Sequence, residues 1–216
     1  LPVIQLDSVV VKAFEQNRGW KEVPAAVSRI SAATFERFTP VSVVSAINTA
    51  PGLRMEERSP GSYRFNIRGS SLRSPFGVRN VKVYFNDIPF TDPGGQTYLN
   101  NLGSYNYSSV EIIKGPGSSL YGAGTGGVLL IDGLQRKNNS HYAAEYTVGS
   151  YGLNQFYAVA NLANEKAQNQ ISFQHQQSNG YRLHSNLKRS VASWNGHFNL
   201  DEKKTLQTTI LFSVLF

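Results

Sequence analysis

Residues 110–131 read VEIIKGPGSSLYGAGTGGVLLI, and no other part of the chain restricts the fold as tightly. Val110 to Lys114 reads as a short strand, and Gly115-Pro116-Gly117 breaks it. Ser118 to Tyr121 makes a brief turn or helical loop. The run from Gly122 to Gly127 is backbone that must bend or pack closely. Val128 to Ile131 then resumes an apolar strand. Such a loop first suggests a phosphate cradle, but Gly117 to Gly122 is followed by Ala123 and Gly124, where a Walker motif needs Lys and Ser/Thr. Leu120 stands where a dinucleotide fingerprint needs its third glycine.

The remaining chemistry is sparse. Four histidines, His141, His175, His184 and His197, stand singly without metal-ligand spacing, and no nucleophile-elbow pattern accompanies the serines. Without cysteine, thiolate sites are excluded. The expectation is a protein that is not an enzyme and carries no cofactor or metal. The formal charge of +7 divides evenly: residues 1–136 hold 14 basic and 10 acidic groups, residues 137–216 hold 7 and 4, so neither part is a nucleic-acid-binding arm. Leu1 to Val11 lacks the basic start of a signal peptide and includes Asp7, which suits a mature or trimmed chain.

After about residue 140 the sequence alternates with a period of two. Tyr142, Ala144, Tyr146 and Val148 fall on one face, opposite His141, Ala143, Glu145 and Thr147. Phe156, Ala158, Ala160 and Leu162 oppose Gln155, Tyr157, Val159 and Asn161. Ile171 and Phe173 oppose Gln170, Ser172, Gln174 and Gln176. Trp194, Phe198 and Leu200 oppose Ser193, Asn195, His197 and Asn199. The last strand, Leu206 to Phe216, follows suit except at Leu211 and Leu215. The turns alternate in length: 149–154 and the long 178–189 on one side, 163–167 and 201–204 on the other. With no apolar run of eighteen residues, the only membrane-spanning form open to this chain is a β-barrel. The alternation and the turn lengths favour that barrel over a soluble sandwich.

These motifs resemble the TonB-dependent receptors of Gram-negative outer membranes. Glu111, Ile113, Gly115, Pro116, Ser118, Tyr121, Gly122, Gly126, Gly127, Val128 and Ile131 match the segment that ends the family's plug domain. Residues 44–53 are similar to its "L-x-x-x-P-G-V" element and Phe65 to Gly69 to "F-x-I-R-G". Val81 to Pro89 is similar to "V-x-V-x-x-D-G-x-P", with Ile88 read where glycine is usual. A second departure is Asp132-Gly133, where the family runs on into Asn-Ile-Ile. The resemblance implies an α+β plug followed by antiparallel transmembrane strands of a barrel of about twenty-two strands. Five of them would lie here, so the chain reads as a fragment or a truncated product. The implied domains are a coupling segment and linker at 1–22, the plug at 23–135 and barrel strands at 136–216.

The same resemblance implies active import of a scarce ligand, most often a ferric siderophore, with cobalamin, haem or glycan as alternatives. It also implies outer-membrane localisation and several partners: outer-membrane lipid, the metal-chelate ligand, and periplasmic TonB with the inner-membrane ExbB/ExbD motor. Leu6, Asp7, Ser8, Val9, Val10 and Val11 would pair with TonB by strand addition. Arg58, Tyr63, Asp92, Gln96 and Tyr98 in the apical loops would meet the ligand, although Asp87 and Asp92 also suit turn caps. Gly69, Glu111, Gly115, Pro116, Tyr121, Gly122, Gly126 and Gly127 would be structural. Arg54, Arg58, Arg64, Arg68, Arg73 and Arg79 form a lysine-free cluster. From it, Arg64 and Arg68 are expected on one strand face, anchoring the plug to wall carboxylates. Short helices are expected within 31–37 and 41–49. A soluble β-rich binding or adhesion module is the rival.

Overall fold

The computed structural model describes residues 10–13, 18–19, 22–23, 25–70, 78–122, 124, 126–133, 140–201 and 204–216. It is a small α+β unit seated against a five-stranded antiparallel sheet. The first two strands, β1 (Val10–Val11) and β2 (Arg18–Gly19), pair with each other. Next come β3 (Val27–Ile30), α1 (Ala32–Glu36) and α2 (Val44–Ile47), then the hairpin of β4 (Leu53–Ser59) and β5 (Ser62–Ile67). After these follow β6 (Val81–Phe85), β7 (Ile88–Pro89), β8 (Ser109–Lys114), α3 (Ser118–Tyr121) and β9 (Gly127–Asp132). Their sheet has the order β3-β8-β9-β6-β7, with β6 and β9 parallel and the other neighbours antiparallel.

The apolar runs of β8 and β9 do not alternate because both faces of this sheet are covered. Val110, Ile112, Leu129 and Ile131 join Ile47, Phe65, Ile67 and Val83 in one core. Ile113, Val128 and Tyr121 close on Val27 and Ala13 on the other side. The connection between β8 and β9 depends on close backbone approach at Gly127, whose φ is +141°. A Cβ there would land on the Ile113 carbonyl oxygen and 2.8 Å from Ile67 Cδ1.

Two turns differ from the sequence reading. β5 ends at Ile67, and Arg68 occupies the left-handed region with φ +51°, so it does not share a strand face with Arg64. At the β6–β7 turn Asn86 and Asp87 take φ of +50° and +65°, while Ile88 is already in β7. The position that glycine would suit is therefore Asp87.

The second sheet is a meander of β10 (His141–Gly149), β11 (Leu153–Ala163), β12 (Ala167–Ser178), β13 (Leu187–Asp201) and β14 (Lys204–Leu215). Its polarity is inverted relative to a soluble sheet. Tyr142 and Tyr146 are 74% and 66% exposed, and Ile171, Ile210 and Phe212 also point outward. Gln155 and Asn195 are 1% exposed, and Gln170, Gln174 and Gln176 are buried with them against the first unit. Leu211, which broke the alternation, packs inward on the first unit's core.

Gly127→Val in the full-length protein should destabilise the first unit by about 1–3 kcal/mol, because strained backbone and a blocked Cβ coincide. At Gly115, with φ +109° and open space around it, alanine should cost less. Thermal unfolding checks both, and equal losses would show that packing at Gly127 is irrelevant.

Candidate ligand cleft and coupling segment

The β4–β5 hairpin carries a bulge where the register shifts between Glu57 and Ser59, which leaves Arg58 as the extra, unpaired residue and re-aims it. Arg58 and Tyr63 line a cleft of about 410 Å³ with Tyr181, Arg182 and Arg189 from the second sheet. Tyr63 also lines a neighbouring 240 Å³ cleft with Tyr98 and Asn100. The structure thus brings Arg58, Tyr63 and Tyr98 together around the hairpin tip. Asp92 and Gln96 line neither cleft. Asp92 Oδ1 accepts the Gln96 N–H at 2.8 Å, the turn-capping role, and Gln96 Oε1 accepts the Tyr98 hydroxyl at 3.1 Å. Tyr63 is buried in β5 rather than presented on a loop, and desolvation raises its phenol pKa.

The contact between the two units is made by neutral groups at nearly every point. Gln155 and Gln176 donate to the carbonyls of Pro40 and Val41, and Gln174 exchanges bonds with Ser104. Ser193 donates to Asn106, and Tyr105 stacks on Tyr157 with ring centroids 3.7 Å apart. At the β6–β7 turn Asn86 Nδ2 donates to Asn195 Oδ1 at 2.7 Å and Thr209 Oγ1 at 2.9 Å, and Asn86 Oδ1 accepts Gly133 N–H.

The anchoring expected of Arg64 and Arg68 is not what the described residues show. Neither is ion-paired there: Arg64 Nε is buried without a partner, and Arg68 is exposed beside Lys114, whose pKa is lowered first by desolvation and then by that charge. Arg54 pairs with Glu56 on the surface at 2.6 Å. The arginine that joins the units sits on the opposite partner. Arg189 of β13, 2% exposed, donates to the Asn100 carbonyl at 3.2 Å and to Gln176 Oε1 at 2.5 Å, and its charge works against the rise of the Tyr63 pKa. From sequence, Arg189 is expected at the end of the long 178–189 turn. β13 already starts at Leu187, and the alternation Leu187, Arg189, Val191, Ser193, Asn195 was the available signal.

A model of the TonB-dependent receptor plug domain matches residues 20–129, half of the chain. The chain belongs to the TonB-dependent receptor family. The plug and wall described above superpose on solved receptors. With the ferripyoverdine receptor of Pseudomonas aeruginosa, crystallised with ferripyoverdine, the TM-score is 0.74 at 14% identity over 95% of this chain and 27% of that one. The ferric yersiniabactin uptake receptor FyuA from Yersinia pestis gives 0.70 at 16%, over 88% and 31%. The copper transporter OprC gives 0.68 at 19%, over 87% and 30%. At these identities the likeness concerns the fold. The chain spans about a quarter to a third of the length of these proteins.

At the other end of the plug, Leu6 to Val9 lie outside the described residues, and Val10–Val11 pair with Arg18–Gly19. Just beyond, the Lys12 N–H donates to Glu111 Oε2 at 2.7 Å. Lys12 Nζ lies 2.9 Å from Asp132 and 3.7 Å from Asp87. The segment is thereby tied to β8 and β9. Tyr121, buried, meets Tyr84 edge-on at 5.5 Å and accepts its hydroxyl through the main-chain oxygen. Gly122, Gly126 and Pro116 complete the β8–β9 connection, where Gly126 N–H reaches Asn80 O at 2.9 Å. Gly69 N–H donates to Asn66 Oδ1 at 2.8 Å.

Burial raises the Glu111 pKa, against the Lys12 N–H and the Arg29 charge, which lower it. A carboxylate that binds its proton more tightly when folded favours folding most at low pH. That contribution is lost as pH rises from the usual 4.5 through the raised folded value. Plug stability in Glu111→Gln should therefore gain on the wild type as pH rises across this window. A difference that does not change with pH in unfolding experiments would refute it.

Proposed function

We propose that this chain is the plug and opening barrel strands of an outer-membrane receptor that imports a scarce metal chelate, with a ferric siderophore as the cargo class. The observation that carries this reading is the inverted wall: an apolar outer face suited to lipid, and a glutamine- and asparagine-lined inner face filled by a plug. In this reading residues 1–22 are the coupling segment and linker, 23–135 the plug and 136–216 the barrel strands. Leu6 to Val11 pairs with TonB, which ExbB/ExbD energises from the inner-membrane proton gradient, and no covalent chemistry is involved. Arg58, Tyr63 and Tyr98 are the plug groups nearest the ligand, while Asp92 and Gln96 shape the loop beside them. The solved relatives include a copper transporter as well as siderophore receptors, which favours a metal-bearing cargo over cobalamin or glycan.

Deleting the full-length gene should abolish growth on its ferric chelate under iron limitation, and the wild-type gene should restore it. Val10→Pro removes a main-chain donor from the coupling strand. It should block uptake of radiolabelled iron chelate while leaving cell-surface binding within about twofold. Uptake that survives Val10→Pro would remove the coupling role from this segment. A stable, detergent-free monomer of the full-length product would exclude the barrel.

A further inference from the structure

The sequence contains two Asn–Gly pairs, Asn179–Gly180 and Asn195–Gly196, and the fold treats them in opposite ways. Asn195 is 1% exposed inside β13, laddered to Gln170 and Thr209, and its Oδ1 accepts Asn86 Nδ2. Asn179 is exposed just past the end of β12, in the turn that leads to β13. Its N–H donates to Tyr151 O at 2.8 Å, and the Ser178 hydroxyl donates to the same oxygen at 3.4 Å. Tyr151 and Tyr181 add a ring contact at 6.2 Å, so residues 178–181 hold the neighbouring β10–β11 turn. The next nitrogen, that of Gly180, donates to Ser178 Oγ at 3.1 Å rather than to a ladder carbonyl. The turn requires glycine there: φ is +72°, and a Cβ would land on the Ser185 carbonyl oxygen.

We propose that Asn179–Gly180 is a spontaneous modification site, where the asparagine ages to aspartate and isoaspartate and slackens the contact between the two turns. Glycine leaves its own nitrogen unshielded, because no side chain stands beside it. Gly180 N attacks Asn179 Cγ. The N–Cγ bond forms as Cγ–Nδ2 breaks, and the Gly180 proton leaves with the amide nitrogen as ammonia. Water then opens the five-membered succinimide at either carbonyl. Opening at one returns an ordinary aspartate, while opening at the other routes the main chain through the side-chain carbon and lengthens it by one methylene. No other reactant is consumed. Either product replaces a neutral amide by a carboxylate, and isoaspartate also displaces Gly180 and Tyr181 from the β10–β11 turn. At Asn195 the same reaction would require β13 to open first, since the extended ladder holds Gly196 N away from the buried amide. The chemistry needs only the local fold and is independent of any cargo.

The test ages the full-length protein in detergent, in mildly alkaline buffer at growth temperature, and follows its peptides by mass and by enzymatic methylation of isoaspartate. The Asn179 peptide should gain the mass difference between an amide and a carboxylic acid about tenfold faster or more than the Asn195 peptide, whose reaction waits on strand opening. In denaturant the two should react alike. Equal rates in the folded protein, or an Asn179 peptide that reacts only when unfolded, overturn the proposal. Asn179→Gln carries a side chain one methylene too long for the five-membered ring, so it should abolish isoaspartate in this peptide, and isoaspartate that persists there disproves the site. Trypsin cleavage after the exposed Arg182 should quicken several-fold as the wild type ages and stay constant in Asn179→Gln. A cleavage rate that ageing leaves unchanged in the wild type overturns the slackening of the turns.

Discussion

Everything in this molecule depends on burying a polar sheet face. In a water-soluble protein the glutamines and asparagines of β11 to β13 would face solvent and the tyrosines, isoleucines and phenylalanines would form the core. Here the apolar residues are outside and the amides are inside, which is stable only if lipid covers the first set and hydrogen-bonding partners meet the second. The plug provides those partners through the carbonyls of Pro40, Val41 and Asn100 and the side chains of Asn86, Ser104 and Asn106.

The character of those bonds bears on what the plug can do. Bonds between neutral groups contribute only about 0.5–1.5 kcal/mol net, because water replaces them with little loss. A plug fixed by buried ion pairs would leave costly uncompensated charges each time it moved. Amides and hydroxyls leave no such uncompensated charge when they are separated. Arg189 is the exception, and it stands beside the cleft on the hairpin side. The N-terminal segment meets the plug at its most buried strands, since Lys12 reaches Glu111 on β8 and Asp132 on β9. The N-terminal segment is thus joined to two inner strands of the sheet, β8 and β9, rather than to an edge strand.

Much of this was legible in the sequence. A period of two identifies strands and assigns faces from residue type alone, so the outward set of Tyr142, Phe156, Ile171 and Phe212 could be read before any contact was known. The glycine pattern around Gly115 to Gly127 likewise marks backbone that must bend. Strand ends were less visible: β13 begins five residues before the alternation becomes unambiguous at Ala192, because Lys188 and Arg189 look like loop residues until a plug covers one of them.

The sequence by itself therefore determined the strands of the second sheet, most of their faces and the family, all of which follow from local periodicity and short motifs. Tertiary structure decided which polar residues became the joint between plug and wall. Asn86 meets Asn195 and Thr209 across more than a hundred residues, and Arg189 reaches Asn100 across 89. No local pattern encodes those meetings. An asparagine or arginine looks the same in sequence whether water or a buried carbonyl satisfies it, and only the packing of one unit into the other removes the water.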